Sequence, residues 1–464
     1  MRVLDRENIQ SLVFQPHRCG YSRHFLFRCG DKAKAKRFLA EWTPRVTHGG
    51  VNLSDPPGPL VNIAVSWPGL DKVGAFDAIG GVGKAEEAFY FDFKEPPDAA
   101  SLGAYGPSAP ENWWNKKFKS HDIDLTVHVY CTSAQMLAQA SAQVRDSARR
   151  YLAEELIPTR DGEAITGQAL EPGLPGLRKL HFGYSDGFSQ PLVNWDDDPA
   201  LGQPGGPPVY PRGHFILDDW DEKAQSFPKC DRWRSLVHHG SYLALAWIYQ
   251  DVAGFNRFLR ENAQKVAPNL PQKDAEELLA AKMMGRWRDG TPLVLSPKKQ
   301  APALAEKDFD YSQDAAGSRC PIGAHIRIVN GRDQPLDAAH STMFPAGIPR
   351  VLRRGSSYGP WLEGEMDDER DRGILGMFLC ANVNRQFYAL TRWIAATNFS
   401  DAFTDPNGQD PLFASRSVPR ASKNFTIPGE NGAIILKGIP DFIRVQGVAI
   451  LLLPSLATLR RLST

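Results

Sequence analysis

The sequence predicts an α+β protein of two domains built on antiparallel sheets. Three observations lead there. The chain has 464 residues, more than one hydrophobic core usually organises. Four segments share one grammar, a strand pattern running within a few residues into a helix pattern. A stretch rich in proline and glycine separates the second of these segments from the third. The apolar share of 42% and the charged share of 23% are those of a chain that folds throughout.

The first segment runs from Arg23-His-Phe-Leu-Phe-Arg into a helix capped near Asp31, on which Phe38, Leu39 and Trp42 fall on one face. In the second, Ile123, Leu125, Val127 and Val129 alternate with other residues and a helix begins near Ser133, running past Val144. Ser241-Tyr-Leu-Ala-Leu-Ala-Trp-Ile opens the third, followed from about Asp251 by a helix carrying Phe255, Phe258 and Leu259. The fourth is Ile374-Leu-Gly-Met-Phe-Leu-Cys-Ala, followed by a helix whose apolar stripe is Phe387, Leu390 and Ile394. A further strand is expected over Leu60 to Ser66.

Two such units fall in each half. The junction is placed at residues 196–212, where Asp196-Asp-Asp-Pro-Ala-Leu-Gly-Gln-Pro-Gly-Gly-Pro-Pro suits neither a helix interior nor a central strand. The domains are therefore residues 1–195 and 213–464. A nucleotide-binding parallel sheet is the competing arrangement, but the chain has neither a Gly-x-Gly-x-x-Gly after a strand nor a Walker loop.

Charge and composition exclude several function classes. Lys and Arg number 54 against 53 Asp and Glu, so no one-signed field draws the chain to nucleic acid or anionic lipid. The longest apolar run, near Val448 to Pro454, is strand-sized and falls short of a membrane span. The N-terminal residues carry neither an apolar signal region nor a twin-arginine pair, so a cytoplasmic location is expected. Cys19, Cys29, Cys131, Cys230, Cys320 and Cys380 form no Cys-x-x-Cys pair, which predicts buried, reduced thiols in place of a zinc site, an iron–sulfur cluster or a disulfide scaffold.

Three constellations carry residue types suited to chemistry. In Cys320-Pro-Ile-Gly-Ala-His325-Ile-Arg327 the histidine reads either as a hydrogen-bonded core residue or as an axial ligand for haem iron. In the second reading Gly323 and Ala324 let a flat macrocycle approach the backbone, and Arg327 meets a haem propionate. In Gly183-Tyr-Ser-Asp186-Gly187-Phe-Ser-Gln-Pro the aspartate either satisfies its own turn or, lifted beside Phe182 and Phe188, sits in a dry pocket and shuttles a proton. In Val351-Leu-Arg353-Arg354-Gly-Ser-Ser-Tyr358-Gly-Pro, paired arginines lie between apolar residues and a turn, a context that aims one charge inward.

Together and in this order, these segments resemble the dye-decolorizing peroxidase family, whose motif Gly-x-x-Asp-Gly is matched by Gly183 to Gly187. The likeness extends to Asn8-Ile9-Gln10, Gly240-Ser-Tyr-Leu, Gln250-Asp251, Gly285-Arg-Trp, Thr291-Pro-Leu-Val-Leu-Ser and Arg385-Gln-Phe. It implies two ferredoxin-like domains of the dimeric α+β barrel type with one haem b per chain between them, held mainly by the C-terminal domain. It also implies His325 as proximal iron ligand, Asp186 and Arg353 as the peroxide-handling pair, and Arg327 and Gly187 as further cofactor contacts. The implied reaction is reduction of hydrogen peroxide with one-electron oxidation of small organic donors such as dyes and phenols. A homo-oligomer is compatible with the resemblance. A non-catalytic haem-binding, haem-processing or sensor protein on the same fold is the alternative.

The chain departs from the family pattern in three places. Cys380-Ala-Asn-Val-Asn-Arg385 has no acid, so no carboxylate is assigned behind His325, and without one the imidazole is a weaker electron donor. Gly331 to Pro349 sets His325 and Arg353 further apart than usual. Val445-Gln-Gly-Val-Ala-Ile replaces a Gly-Gly-aromatic sequence near the C-terminus.

Overall fold

The computed structural model describes residues 4–54, 56, 58–84, 91–159, 165–168, 178–202, 208–217, 231–305, 308–334, 344, 347–395, 409–418, 421–429 and 432–464. Cys230 and residues 203–207 of the junction lie outside them, as do residues 335–343, 345 and 346 of the long segment before Arg353.

Ten strands share one sheet: β1 (Tyr21–Arg28), β2 (Leu60–Val65), β3 (Leu125–Cys131), β4 (Glu154–Leu156), β5 (Ile165–Gln168), β6 (Ser241–Gln250), β7 (Leu352–Arg353), β8 (Ser356–Tyr358), β9 (Gly373–Cys380) and β10 (Ile443–Leu453). The N-terminal half contributes the order β2-β3-β1-β5 and the C-terminal half β10-β6-β9-β8. The halves meet through single residue pairs, Leu452 with Val65 and Tyr358 with Gly167. Pairing of β6 with β9 completes the circuit, so eight antiparallel strands form a closed barrel, with β4 on β1 and β7 on β9. Closure leaves those eight strands without a free edge.

Helices α1 (Lys32–Trp42), α2 (Ala134–Tyr151) and α3 (Val252–Val266) start where capping chemistry places them. Asp31, Ser133 and Asp251 each accept a hydrogen bond from a backbone N–H three residues on, satisfying donors that a helix start leaves open. Phe38, Leu39, Phe255, Phe258 and Leu259 are buried as the helical period requires. The fourth unit differs. Val383–Tyr388 winds as a π-turn before a short α-helix, Ala389–Ala395, and Leu390 and Ile394 of its apolar stripe line a cavity. Leu192–Asn194, just before the junction, pairs in parallel with Val209–Pro211 in a separate two-stranded sheet. None of the five described cysteines is in a disulfide, and all five are buried. Among the described residues no helix is long and apolar enough to cross a membrane.

The barrel interior of the N-terminal half is polar. Ser22, His24, Thr126, His128 and Tyr130 alternate with Phe25, Phe27, Val127 and Val129, which face the helices. His24 Nδ1 lies 2.9 Å from His128 Nδ1, while Ser22 Oγ and Thr126 Oγ1 meet the remaining ring nitrogens of His24 and His128. Burial pushes His128 down from 6.5 to about 3. Its folded value lies below its unfolded one, so the stability gained from a neutral ring is complete above the unfolded value and is lost as pH falls. Urea unfolding from about pH 7 to about pH 4 should therefore show falling stability below about pH 6.5, with a shallower fall in His128→Gln. An unfolding free energy that stays level over this range would contradict the account.

Candidate active site

The outer face of the C-terminal half of the barrel is the floor of a cavity of about 340 Å³. Along β9 the period of two sends Ile374, Gly376 and Phe378 to this face. Ala246 pairs with Gly376 and Ile248 with Ile374, and Val445 and Val448 of β10 extend the same surface. At its centre Ala246 stands beside Gly376, where no side chain is larger than a methyl group. A Cβ at Gly376 would stand 2.4 Å from the Phe378 ring.

His325 lines the cavity as the first residue of α4 (His325–Val329). Its Nδ1 is 2.7 Å from Asp410 Oδ2, and its ring stacks on Phe413 with centroids 4.4 Å apart. Asp410 is fully buried, and its Oδ1 accepts the N–H groups of Leu412 and Phe413 at 2.9 and 3.0 Å. With Nδ1–H donated to a carboxylate fixed by its own turn, the imidazole is held in the tautomer whose Nε2 can bind a metal. Nε2 has no protein partner among the described residues. The sequence left the carboxylate behind His325 unassigned; the structure supplies it from Asp410, 85 residues downstream. Its sequence signal is the Asp-Pro-Leu-Phe turn, which carries no hint of its distant partner.

Asp186 and Arg353 line the same cavity. Gly183 (φ +88) and Gly187 (φ +112) bracket the aspartate in conformations that glycine adopts without cost. Arg353 Nη1 stands 3.3 Å from Asp186 Oδ1, and Nη2 donates to Phe188 O at 2.6 Å. Gln190 accepts from Arg353 N and donates to Arg353 O, so side chain and strand are both tied to the aspartate's loop. Alternation about β7 separates the two arginines. Arg353 faces the cavity, while buried Arg354 donates to Leu12 O and Val13 O of the N-terminal turn.

Five motif residues stand away from the cavity wall: Arg327, Gly323, Ala324, Phe182 and Gly187. Arg327 is fully buried and does not line the cavity. Its guanidinium donates to Cys320 O, Asp314 and Gln334 and lies over the Tyr311 ring at 4.1 Å, because a buried cation takes the nearest complete set of acceptors. Ala324 belongs to a separate core cluster that also holds Trp287 and Cys320. Phe182 does not dry the aspartate; it packs 4.5 Å from Phe255, and the Asp186 side chain is 38% exposed. Gly187 is absent from the cavity wall and acts through its conformation.

The cavity carries more positive charge than the sequence motifs suggested. Arg286, Arg332, Arg350 and Arg353 line it against Asp186 and Asp441, leaving two positive charges over. Arg286 and Arg332 reach Ser189 Oγ, and Arg350 donates to Ser189 O. Burial lowers Arg286 and Arg350 to about 10, with neighbouring arginines adding to the effect. Such a cluster favours a ligand with carboxylates. Among the described residues no group of three or more His, Cys, Asp or Glu side chains is placed to hold a metal ion. A metal at His325 would bring further ligands of its own, as the iron of a porphyrin does.

A lone imidazole backed by a carboxylate, an apolar floor and a surplus of arginine on one α+β barrel suit a metal complex that carries its own carboxylates. No family model matches the chain. It is 30% identical over 441 residues to a dye-decolorizing peroxidase of Mycena epipterygia, covering 89% of this chain and 76% of the relative. It is 29% identical over 466 residues to a multifunctional dye peroxidase of Amycolatopsis sp., covering 93% and 90%. A dye-decolorizing peroxidase in complex with 2,6-dimethoxyphenol superposes with a TM-score of 0.76 at 25% identity over 100% of both chains. The chain belongs to the dye-decolorizing peroxidase family, and it is an oxidoreductase that uses peroxide as its acceptor. Enzymes of this family carry haem.

The floor supplies a direct test of the fit. In Gly376→Val the added side chain drives the Phe378 ring toward the cavity, so haem content, read as the ratio of Soret to protein absorbance, should fall several-fold while the far-ultraviolet circular dichroism is retained. Wild-type haem content in that variant would show that the floor does not receive the macrocycle.

Proposed function

We propose that the chain holds one haem b through His325, handles peroxide with Asp186 and Arg353, and takes electrons singly from small organic donors such as phenols and dyes. The observation that carries this reading is the shared cavity, lined at once by a carboxylate-backed imidazole and by an aspartate–arginine pair. The surplus of two cavity arginines suits the two propionates of haem b. Residues 1–195 and 213–464 are read as the two ferredoxin-like domains, although the Asp186 loop packs on the C-terminal half through Tyr184, which donates to Ala280 O.

When bound, haem supplies the iron at which the peroxide O–O bond is cleaved and two oxidising equivalents are stored. Asp186 accepts the proton of the inner peroxide oxygen on its carboxylate and returns it to the outer oxygen, so the leaving group departs as water. Arg353 keeps its proton throughout and stabilises the negative charge that develops on that outer oxygen. Its hydrogen bond to Phe188 O fixes the guanidinium on the aspartate's loop, which limits reorganisation as charge builds up. Asp410 holds the His325 Nδ1 proton and orients the ring, and stacking on Phe413 limits its rotation.

Asp186→Asn keeps shape and polarity but cannot take up a proton, so the bimolecular rate of reaction with hydrogen peroxide should fall by about 10² to 10⁴, the range for general acid–base groups. Arg353→Leu should lower the same rate, and both variants should retain haem. Stopped-flow absorbance checks this. Full peroxide reactivity in both would place proton transfer on other residues.

A further inference from the structure

The turn that carries Asp410 is tied to a cation that the peroxide chemistry above does not use. Arg416 Nη2 donates to Asp410 O at 2.8 Å, and Nη1 donates to Gln409 Oε1 and Ser422 O, both at 3.2 Å. Its backbone N–H donates to Asp441 Oδ1 at 2.7 Å, and Asp441 lines the cavity. Burial pushes the Arg416 guanidinium down, while the charges of Asp410 and then Asp441 pull it back up. The cation is therefore within electrostatic reach of the carboxylate behind His325.

Both carboxylate oxygens of Asp410 are engaged, one by two backbone N–H groups and the other by His325. A buried carboxylate in this position draws the Nδ1 proton toward itself, enriches Nε2 in electron density and stabilises the oxidised form of a bound metal. A neighbouring cation opposes that pull and weakens the acceptor as seen by Nδ1–H. The strength of the imidazole as a ligand is then set by three groups, His325, Asp410 and Arg416.

We propose that Arg416 is a positioning residue for the proximal pair: docked on the Asp410 turn, its guanidinium moderates the hydrogen bond from His325 Nδ1 to Asp410 and raises the reduction potential of the iron that His325 binds. This rests on His325 being the haem ligand. The competing role is that of a loop staple, in which the side chain matters only for its hydrogen bonds.

Holoprotein of the wild type, Arg416→Gln and Arg416→Lys separates the two roles by the ferric/ferrous midpoint potential and the ferrous iron–histidine stretching frequency, neither of which measures turnover. Arg416→Gln should shift the potential downward and the stretch upward. Arg416→Lys, which keeps the charge, should stay close to wild type. In an Asp410→Asn background the shift caused by Arg416→Gln should shrink, because two groups acting through one another are not additive. Unchanged potential and stretch in Arg416→Gln, or equal shifts in both backgrounds, would overturn the proposal. Loss of haem from Arg416→Gln with retention by Arg416→Lys would be checked with Arg416→Met, and loss there too would make the residue a staple and overturn the proposal. Failure of the wild-type chain to take up haemin would instead overturn the assignment of His325.

Discussion

Pairing of β6 with β9 is the constraint on which the rest of the structure depends. It closes the barrel, and because side chains alternate across a strand it gives each face of those strands one task. One face of β9 presents Met377 to the interior, where Tyr130 donates to its sulfur. The other presents Gly376 and Phe378 to the cavity. A slip of one residue would exchange these sets, placing a glycine in the core and a methionine in the floor. Arg353 lies opposite Phe378 in the register of β7, so the same alternation aims one arginine at Asp186 and buries the next against the N-terminal turn.

Polar groups buried around this frame are held by backbone atoms more often than by opposite charges. Arg354 meets three carbonyl oxygens, and Arg286 takes the carbonyls of Gly290 and Ala305. Burying a guanidinium is tolerable when its donors are satisfied, and it leaves the charge itself uncompensated. Arg286 and Arg350 on the cavity wall are of this kind, held by carbonyl and hydroxyl oxygens, which suits the wall to carboxylates. Asp410 shows the converse arrangement. A buried carboxylate is fixed by its own backbone turn, leaving one oxygen to orient an imidazole whose other nitrogen is available to a metal.

The sequence made the barrel legible where local physics decides the outcome. Alternating or apolar runs marked β1, β3, β6 and β9, and Asp31, Ser133 and Asp251 marked the helices that follow three of them. Three short motifs located His325, Asp186 and Arg353. What it hid depends on distant partners. Asp410 meets His325 across 85 residues, and a lone aspartate before proline reads as a turn. Arg327, two residues beyond His325, invited a role at the cofactor, yet the helical twist at His325–Val329 carries it to Asp314 and Tyr311. Gly376 was one residue of the fourth strand pattern, and only its register with Ala246 reveals a floor.

A cavity that holds one haem through His325 in a form that reacts with peroxide must lose that haem with the imidazole. Titrating haem-free protein with haemin, and then adding hydrogen peroxide, tests it in the wild type and in His325→Ala. A Soret band that saturates at one haemin per chain and changes on adding peroxide is expected in the wild type, with weak, non-saturating uptake in the variant. Equal uptake and equal peroxide response in the two proteins would contradict it.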